Sequence, residues 1–421
     1  MWGTRFWNQT YTDWEQVHAP RHTIHDTTNP HQQLDYIRFV SDSVLRFCEM
    51  QASILRKYIK PGDFVTTNGM FEHMDNHRMV ENSLDVYTYD SYPNFAYMLD
   101  AKNVSPLKDR GYSQALAQVR SICPHFGIME QQSGPGGWVS RMRQPAPKPG
   151  QMRLWAWQSI AHGADFVSFF RWRTATMGTE IYWHGILNYD NEPNRRLREV
   201  ATLAGETARL SDLPGTRYRA RIAMVKDYSN EWDSRLDNWR RQDRISDYGW
   251  YEASQVCHAP MDFVYLPEED SGYTVTLEDL LAYDLLIYPH PSILTKERAA
   301  LLRQYAEKGG TLILLIEARV GGGPAVYFDW ISDLQAGTME KRLRERFTVP
   351  GYIFLLNCEQ AHRYNILMLS SVPAETVAPM GLKAYSDVDS LMAAANLAGK
   401  TIYVIPNGGT VVPHVTGGDT K

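Results

Sequence analysis

The stretch from Phe126 to Trp138 reads Phe-Gly-Ile-Met-Glu-Gln-Gln-Ser-Gly-Pro-Gly-Gly-Trp, and it places one carboxylate where an apolar run ends. The run Phe126–Met129 predicts a short buried strand that carries Glu130 at its C-terminal end. Catalytic groups of (β/α) barrels stand at that end of their strands. Trp138 follows a glycine-rich turn, and an indole suits the apolar face of a sugar ring. Taken alone, the motif is equally compatible with a structural Glu130 that caps the next turn.

Alternating strands and helices surround this carboxylate, which predicts a parallel sheet covered by helices. The predicted strands are Phe64–Thr67, Ser83–Tyr89, Phe126–Met129 and Phe166–Phe170, and the predicted helices are Leu34–Lys60, Tyr112–Ile122, Gln151–His162 and Leu197–Leu210. Each strand is followed by polar or aromatic residues, namely Asn68, Asp90 with Tyr92, Glu130, and Arg171 with Trp172. Four such strand ends favour an active-site Glu130. A closed barrel needs about eight strands, so we expect an open sheet or a barrel whose other half would precede Trp2.

From about Pro214 the alternation restarts and predicts a second, smaller doubly wound domain. Its predicted strands are Arg221–Val225, Met261–Tyr265, Leu285–Tyr288 and Thr311–Ile316. No glycine-rich dinucleotide or phosphate loop is present, so no nucleotide cofactor is expected. Further elements follow in the last hundred residues, with strands expected at Asn365–Ser370 and Thr401–Ile405 and helices at Met339–Phe347 and Ser386–Leu397.

Composition excludes several classes of function. The net charge of −5 leaves no basic surface for nucleic acid, and no apolar run of about 18 residues predicts a membrane span. The four cysteines are far apart, which favours reduced thiols, a cytoplasmic location and no metal site. Twelve Trp and 24 Tyr, many beside amides and carboxylates, favour carbohydrate binding over simple filling of a core.

Several segments together resemble glycoside hydrolase family 42, the bacterial β-galactosidases, over roughly residues 1–316. The matching segments are Trp2-Gly-Thr-Arg-Phe-Trp-Asn-Gln-Thr-Tyr11, Leu34-Asp-Tyr-Ile-Arg-Phe39, Thr66-Thr-Asn68, Tyr89-Asp-Ser-Tyr-Pro93, Met129-Glu-Gln131, Ala161-His-Gly-Ala-Asp165, Phe170-Arg-Trp-Arg173 and Glu180-Ile-Tyr-Trp-His-Gly185. The resemblance implies an α/β fold: the C-terminal half of a TIM (β/α)8 barrel in residues 1–213, then a flavodoxin-like trimerisation domain in 214–318. A small α/β tail of uncertain origin would occupy residues 319–421.

The same resemblance implies roles for six residues. Glu130 would be the nucleophile of a retaining β-galactosidase, with Tyr92 hydrogen-bonded to it. Trp2 and Trp138 would line the galactose subsite, while Glu180 and His184 would bind sugar hydroxyls. No cofactor is implied, and a complete barrel would form a homotrimer.

One departure from the family bears on activity. Its acid/base glutamate lies in an Asn-Glu pair upstream of the Trp-Gly-Thr segment, at which this sequence begins. Glu72, Glu81 and Glu180 are the remaining candidates, and none follows a strand in an Asn-Glu pair. We therefore expect a catalytically incomplete β-galactosidase chain. The alternative is a non-catalytic galactoside-binding or complementing subunit.

The tail suggests a second resemblance. Met368-Leu-Ser-Ser371, Pro379-Met-Gly-Leu382 and Tyr403-Val-Ile-Pro-Asn-Gly-Gly409 look like the C-terminal end of lactate-racemase-like nickel enzymes. A join near residues 317–324 would explain both halves, and ordinary divergence within the galactosidase family is the alternative.

Overall fold

The computed structural model divides the chain into two compact units, Met1–Ala220 with Asp227–Thr274, and Arg221–Lys226 with Val275–Lys421. It describes residues 2, 10–21, 29–69, 72–93, 111–138, 145–210, 212–213, 216–236, 247–269, 271–289, 291–308, 310–315, 328–363, 366–370, 372–395 and 401–405. For 310–315 and 401–405 the description is of the backbone. The join expected near 317–324 lies outside these residues, and the predicted domain limits stay predictions.

The first unit alternates helices with parallel strands after a short 3-10 turn at Trp14–Gln16. Its helices are α1 (Pro30–Leu55), α2 (Asn76–Ser83), α3 (Gly111–Ile122), α4 (Gln151–Ala161), α5 (Arg195–Thr207), α6 (Tyr228–Leu236) and α7 (Tyr248–Val256). Its strands are β1 (Tyr87–Ser91), β2 (Phe126–Gln132), β3 (Ala164–Phe170) and β5 (Met261–Tyr265). β4 (Ile222–Lys226) belongs to the second unit.

Strands β1, β2 and β3 form a parallel sheet in that order. The strand predicted at Phe64–Thr67 is not formed; this segment lies beside β1 and makes a single parallel bridge, from Asn68 to Thr88. The strand predicted at Ser83–Tyr89 begins only at Tyr87, because helix α2 continues to Ser83. The Asp75 side chain accepts a hydrogen bond from the Arg78 backbone and starts this helix. An N-terminal cap of this kind stabilises a helix that the apolar pattern alone does not reveal.

Side-chain size sets the spacing between β2 and β3. Gly127 lies in register with Phe166, and a Cβ atom added to Gly127 would stand 2.2 Å from the Phe166 ring. A side chain at position 127 would therefore clash with that ring. Phe126 and Ile128 on either side are fully buried in a core that also holds Tyr87, Leu116 and Val119.

Helix α1 has apolar side chains on both its buried and its exposed sides. Asn29 caps it, with Pro30 in its first turn. Leu34, Leu45 and Ala52 are buried as expected of a core-facing side. However, the apolar side chains of Phe47 and Ile54 are exposed.

The strands of the second unit after β4 are β6 (Leu285–Ile287), β7 (Gly310–Leu315), β8 (Leu367–Leu369), β9 (Lys383–Tyr385) and β10 (Thr401–Ile405). They form a parallel sheet in the order β4, β6, β10, β7, β8 and β9. The helices are α8 (Leu277–Leu281), α9 (Lys296–Glu307), α10 (Ile331–Gln335), α11 (Met339–Glu345), α12 (Val349–Arg363), α13 (Ala374–Val377) and α14 (Val388–Ala395). Strand β10, predicted within the tail, pairs with both β6 and β7. In the described part of the chain, no helix has the length and apolar character needed to cross a membrane.

Candidate active site

Glu130 lies within β2 rather than after it, since the strand continues to Gln132. The ladder is irregular on both sides at this point. Pairing with β1 shifts between Tyr89 and Asp90, and pairing with β3 shifts between Ile128 and Gln131. Such bulges re-aim a side chain and are common next to active sites. The irregularity explains how Glu130 is half-buried although Gln131 and Gln132 beside it are buried.

Tyr92, just after β1, donates its phenolic hydrogen to Glu130 Oε2 over 2.6 Å. Burial, and then the hydrogen bond to Glu130, raise the pKa of Tyr92 far above its ordinary value. The phenol therefore keeps its proton and stays a donor. This bond is the contact that the sequence implied between the two residues.

Two further carboxylates act on Glu130. Burial is the main cause that raises the pKa of Glu130; the Tyr92 hydrogen bond lowers that pKa, and the charges of Asp90 and Glu180 raise it. Asp90 is the register partner of Glu130 on β1 and accepts a hydrogen bond from Asn68 Nδ2. Among the described residues, the second oxygen of Asp90, Oδ1, is buried without a hydrogen-bond partner. Burial also raises the pKa of Asp90.

An aromatic wall stands beside Glu130, made by Tyr92, Trp183 and Trp138. Trp183 packs edge-on against Tyr92 with ring centroids 5.4 Å apart, and against Trp138 at 5.6 Å. Trp183 is buried, whereas 49% of Trp138 is exposed. The wall thus presents one indole to solvent. Sequence reasoning did not single out Trp183, although it lies inside the matched Glu180–Gly185 segment and that position was the available signal.

The chain after β3 brings Glu180 and His184 to the same region. Arg171, directly after β3, donates to Glu180 Oε2 at 3.3 Å and to the Glu180 carbonyl at 3.0 Å. The His184 backbone donates to the Pro135 carbonyl at 3.0 Å, and its ring meets Tyr189 edge-on at 5.0 Å. The sequence placed Arg171 at a strand end but did not predict that it holds Glu180.

Two glycines allow the loop after β2 to cross the His184 segment. A Cβ at Gly134 would lie 2.4 Å from the His184 carbonyl oxygen, and one at Gly136 would lie 2.1 Å from the Tyr182 carbonyl oxygen. Gly136 also has a φ of +148°, a region that favours glycine. This crossing connects the loop that carries Trp138 to the segment that carries Glu180 and His184.

Trp2 makes its described contacts elsewhere. Its indole N–H donates to Asp35 Oδ2 at 2.8 Å, its carbonyl accepts from Asn29, and its ring meets Tyr11 edge-on. The structure thus brings together Glu130, Tyr92, Trp138, Glu180 and His184, and the predicted role of Trp2 in lining a subsite stays a prediction. Within the described residues, no group of three His, Cys, Asp or Glu side chains is arranged to hold a metal ion.

Comparison with known proteins identifies the family that this sequence matches. The glycoside hydrolase family 42 model, described as β-galactosidase, matches residues 1–210. A β-galactosidase of Geobacillus kaustophilus is 33% identical over 321 residues, which are 74% of this chain and 44% of the relative. Residues 1–210 belong to glycoside hydrolase family 42.

Solved family 42 structures support the same assignment. The crystal structure of a β-galactosidase from the psychrophilic Marinomonas ef1 superposes with a TM-score of 0.64 at 28% identity, covering 75% of this chain and 48% of that one. The shared architecture is the α/β fold of the TIM-barrel β-galactosidases. The chain spans about half the length of the relatives and structures that it matches.

The tail also has a family counterpart. A β-galactosidase of a Planococcus species aligns with 96% of this chain at 25% identity over 428 residues. This alignment extends well past residue 320, so it favours divergence within the family over the racemase-like origin. The racemase-like origin and the flavodoxin-like domain stay predictions.

Proposed function

We propose that this chain carries the nucleophile half of a retaining β-galactoside hydrolase, with Glu130 as the nucleophile. The observation that carries the proposal is the hydrogen bond from Tyr92 to Glu130 Oε2 beside an aromatic wall, near the C-terminal ends of parallel strands. Catalytic groups occupy this edge of a (β/α) barrel. Membership of residues 1–210 in family 42 supports the substrate class.

The hydrogen bond assigns different tasks to the two carboxylate oxygens. Tyr92 holds Oε2, which leaves Oε1 to attack the anomeric carbon of the sugar. In a retaining reaction the new Oε1–carbon bond forms as the glycosidic bond breaks, and the departing oxygen takes a proton from a second carboxylic acid. Water then attacks the glycosyl–Glu130 ester, with that second group as the base. The donated hydrogen bond stabilises the ionised carboxylate needed for the first step.

The surrounding side chains fit the sugar. Trp138 is half exposed and edge-on to Trp183, so the exposed part of its indole suits the apolar side of a galactose ring. Glu180 and His184 supply acceptors for hydroxyl groups. Arg171 fixes Glu180 from both its carboxylate and its backbone, which limits the positions that a bound hydroxyl can take.

A retaining reaction also needs a second carboxyl group. Among the described residues, the two carboxylates that act on Glu130 already have partners, Asp90 with Asn68 and Glu180 with Arg171. This observation favours, as a second candidate, a galactoside-binding or complementing subunit that lacks turnover on its own. Both candidates use the same cleft and differ in whether a proton donor reaches it.

A trapping experiment tests the role of Glu130 without needing that proton donor. A dinitrophenyl β-galactoside with fluorine in place of the hydroxyl next to the anomeric carbon has a leaving group that departs unprotonated. We expect it to form a stable ester on Glu130, found by peptide mass spectrometry in the wild-type chain and absent from Glu130→Gln. Labelling of another residue would reject Glu130 as the nucleophile. Galactose binding without any labelling would favour the binding subunit.

A further inference from the structure

Arg171 joins the end of β3 to the segment that carries Glu180. Its carbonyl, one residue after β3, accepts a hydrogen bond from the Ile186 amide over 2.7 Å. Gly185 makes this approach possible, since a Cβ atom at that position would lie 2.5 Å from the Arg171 carbonyl oxygen. The segment from Glu180 to Ile186 therefore folds back onto the backbone of Arg171.

The Arg171 side chain holds the other end of this segment. Nη1 donates to Glu180 Oε2 over 3.3 Å, and Nη2 donates to the carbonyls of Glu180 and Trp183 over 3.0 and 3.4 Å. The Trp183 amide also donates to the Glu180 carbonyl over 3.0 Å and closes a turn. A guanidinium group offers its donors in a rigid planar fork. One side chain thus sets the positions of the Glu180 carboxylate and of the buried indole in the aromatic wall.

The ion pair between Arg171 and Glu180 contributes orientation more than stability. The two side chains are 26% and 43% exposed, and ion pairs that water screens add little to the free energy of folding. A free glutamate side chain, however, loses much rotamer freedom when it binds a ligand. Holding Oε2 in place beforehand removes part of that cost and leaves Oε1 for the ligand.

We propose that Arg171 is a positioning residue that determines sugar specificity, because it aims Glu180 Oε1 at one hydroxyl group of the bound galactoside. This inference rests on the proposed function, since it takes the ligand to be a galactoside. Arg171 acts through Glu180 and does not touch the sugar. Hydrogen bonds weaken steeply when they are misaligned, so a fixed oxygen discriminates sharply for or against a hydroxyl group at one position. A mobile carboxylate would follow the hydroxyl group and discriminate less.

Direct contact between Arg171 and the sugar is the competing explanation, and the structure disfavours it. Both Nη atoms already donate to Glu180 or Trp183. Within the described part of the chain, Nε is buried and has no hydrogen-bond partner, so it presents no donor at the surface of the site. Arg171 is also not among the charges that shift the pKa of Glu130, which separates its role from that of Asp90.

The test measures, by NMR titration, how the full 421-residue chain binds galactose and its monodeoxy derivatives, each of which lacks one hydroxyl group. The variants are Arg171→Gln, Glu180→Ala and the double variant. Arg171→Lys keeps the charge without the planar fork and serves as a second variant at this position. Arg153→Gln is the matched control, because Arg153 donates two hydrogen bonds to the carboxylate of Glu206, between α4 and α5. Circular dichroism checks that each variant folds.

We expect the wild-type chain and Arg153→Gln to bind one monodeoxy derivative about 10- to 100-fold more weakly than galactose, as the loss of one hydrogen bond to a charged group implies. In Glu180→Ala, Arg171→Gln and Arg171→Lys, this preference should fall to about threefold or less for the same derivative. The preferences over the other derivatives should keep their wild-type values. The double variant should lose no more than either single variant, because residues that act as one unit are not additive.

Several results would overturn the proposal. If Arg171→Gln weakened the binding of galactose and of every derivative equally, Arg171 would have only a structural role. Losses that add up in the double variant would assign Arg171 its own contact with the sugar. Unchanged preferences in Arg171→Gln, or a wild-type chain that binds no galactose, would also reject it.

The labelling experiment separates this proposal from the proposed function. Labelling of Glu130 by the fluorinated galactoside would support the nucleophile even if Arg171→Gln kept the wild-type preferences. Loss of the preference in Arg171→Gln without any labelling of Glu130 would support the positioning role and reject the nucleophile.

Discussion

Asp90 and Glu130 are register partners on adjacent parallel strands, so two carboxylates stand side by side in the sheet. Facing residues on neighbouring strands project to the same side. Burial raises the pKa of Glu130, and the charge of Asp90 raises that pKa further. The register of β1 against β2 thus contributes to the pH at which Glu130 becomes ionised.

Asp90→Asn removes this charge and keeps an oxygen that can accept from Asn68. We expect the pKa of Glu130 to fall, so the pH at which the fluorinated galactoside labels Glu130 at half its maximal rate moves to lower pH. Only part of the shift should disappear, because burial is the larger cause. Glu49→Gln is the control, since Glu49 is not among the charges that act on Glu130. An unchanged profile in Asp90→Asn would contradict the coupling.

Tyr92→Phe removes the hydrogen bond that stabilises ionised Glu130. We expect the labelling profile to move to higher pH, opposite to Asp90→Asn. A hydrogen bond to a charged group contributes about 1.5–3 kcal/mol, so labelling below the shifted pKa should slow roughly 10- to 100-fold. Tyr89→Phe, on β1 three residues before Tyr92, is the comparison and should keep the wild-type rate. Equal effects of the two substitutions would remove the special role of Tyr92.

Glu130 should also destabilise the folded chain at neutral pH. Because its folded pKa is raised, the folded state binds the proton more tightly than the unfolded state, and stability falls as pH rises through the raised pKa. Glu130→Gln does not titrate and still accepts from Tyr92. We therefore expect the variant to match the wild type at low pH and to exceed it at neutral pH in urea unfolding. A variant less stable at neutral pH would show the opposite sign.

Asp75 gives a larger effect of the same sign. Burial, and the charge of Glu268, raise its pKa to about 7, against opposing contributions from the Arg78 backbone and charge. The free energy of unfolding should fall by up to about 4 kcal/mol as pH rises from about 4 to about 7. Asp75→Asn retains the cap on α2 and should lose this slope.

Asp387 is the natural contrast to Asp75. Its hydrogen bonds with Ser390 lower its pKa, so its stabilisation is present above the ordinary pKa and is lost as pH falls. Asp387→Asn should therefore change stability in acid with the opposite sign to Asp75→Asn. If both substitutions changed the pH dependence of the free energy of unfolding in the same direction, the assignment to Asp75 would be rejected.

Substitutions at two glycines test separately the close packing of β2 against β3 and the low helix propensity of glycine. Gly127→Ala would bring a methyl group into the Phe166 ring, and we expect a loss of about 1–3 kcal/mol. Gly205 lies in α5 with no atom within 4 Å of an added Cβ, so Gly205→Ala should stabilise by about 1 kcal/mol. Thermal unfolding of the two variants measures both signs. If Gly127→Ala left thermal unfolding unchanged, the close contact between Gly127 of β2 and the Phe166 ring of β3 would be rejected.

The sequence by itself determined the strands that periodicity and composition mark strongly. Met261–Tyr265 and Thr401–Ile405 form as predicted, and Glu130 and Tyr92 meet as the family segments implied. Local signals suffice there, because an apolar run between turn residues specifies a buried strand. They failed at Val349–Arg363, which forms helix α12 although the sequence analysis assigned no element to it.

The tertiary structure alone decided which side chains surround Glu130 and which face of α1 is buried. Trp183 and Arg171 come from segments about 40 to 50 residues downstream of Glu130, and their contacts depend on how two loops cross at Gly134 and Gly136. On α1, both apolar faces repeat with the same helical period, so spacing cannot separate them. Only packing against Val65 and its neighbours distinguishes the buried face from the exposed one.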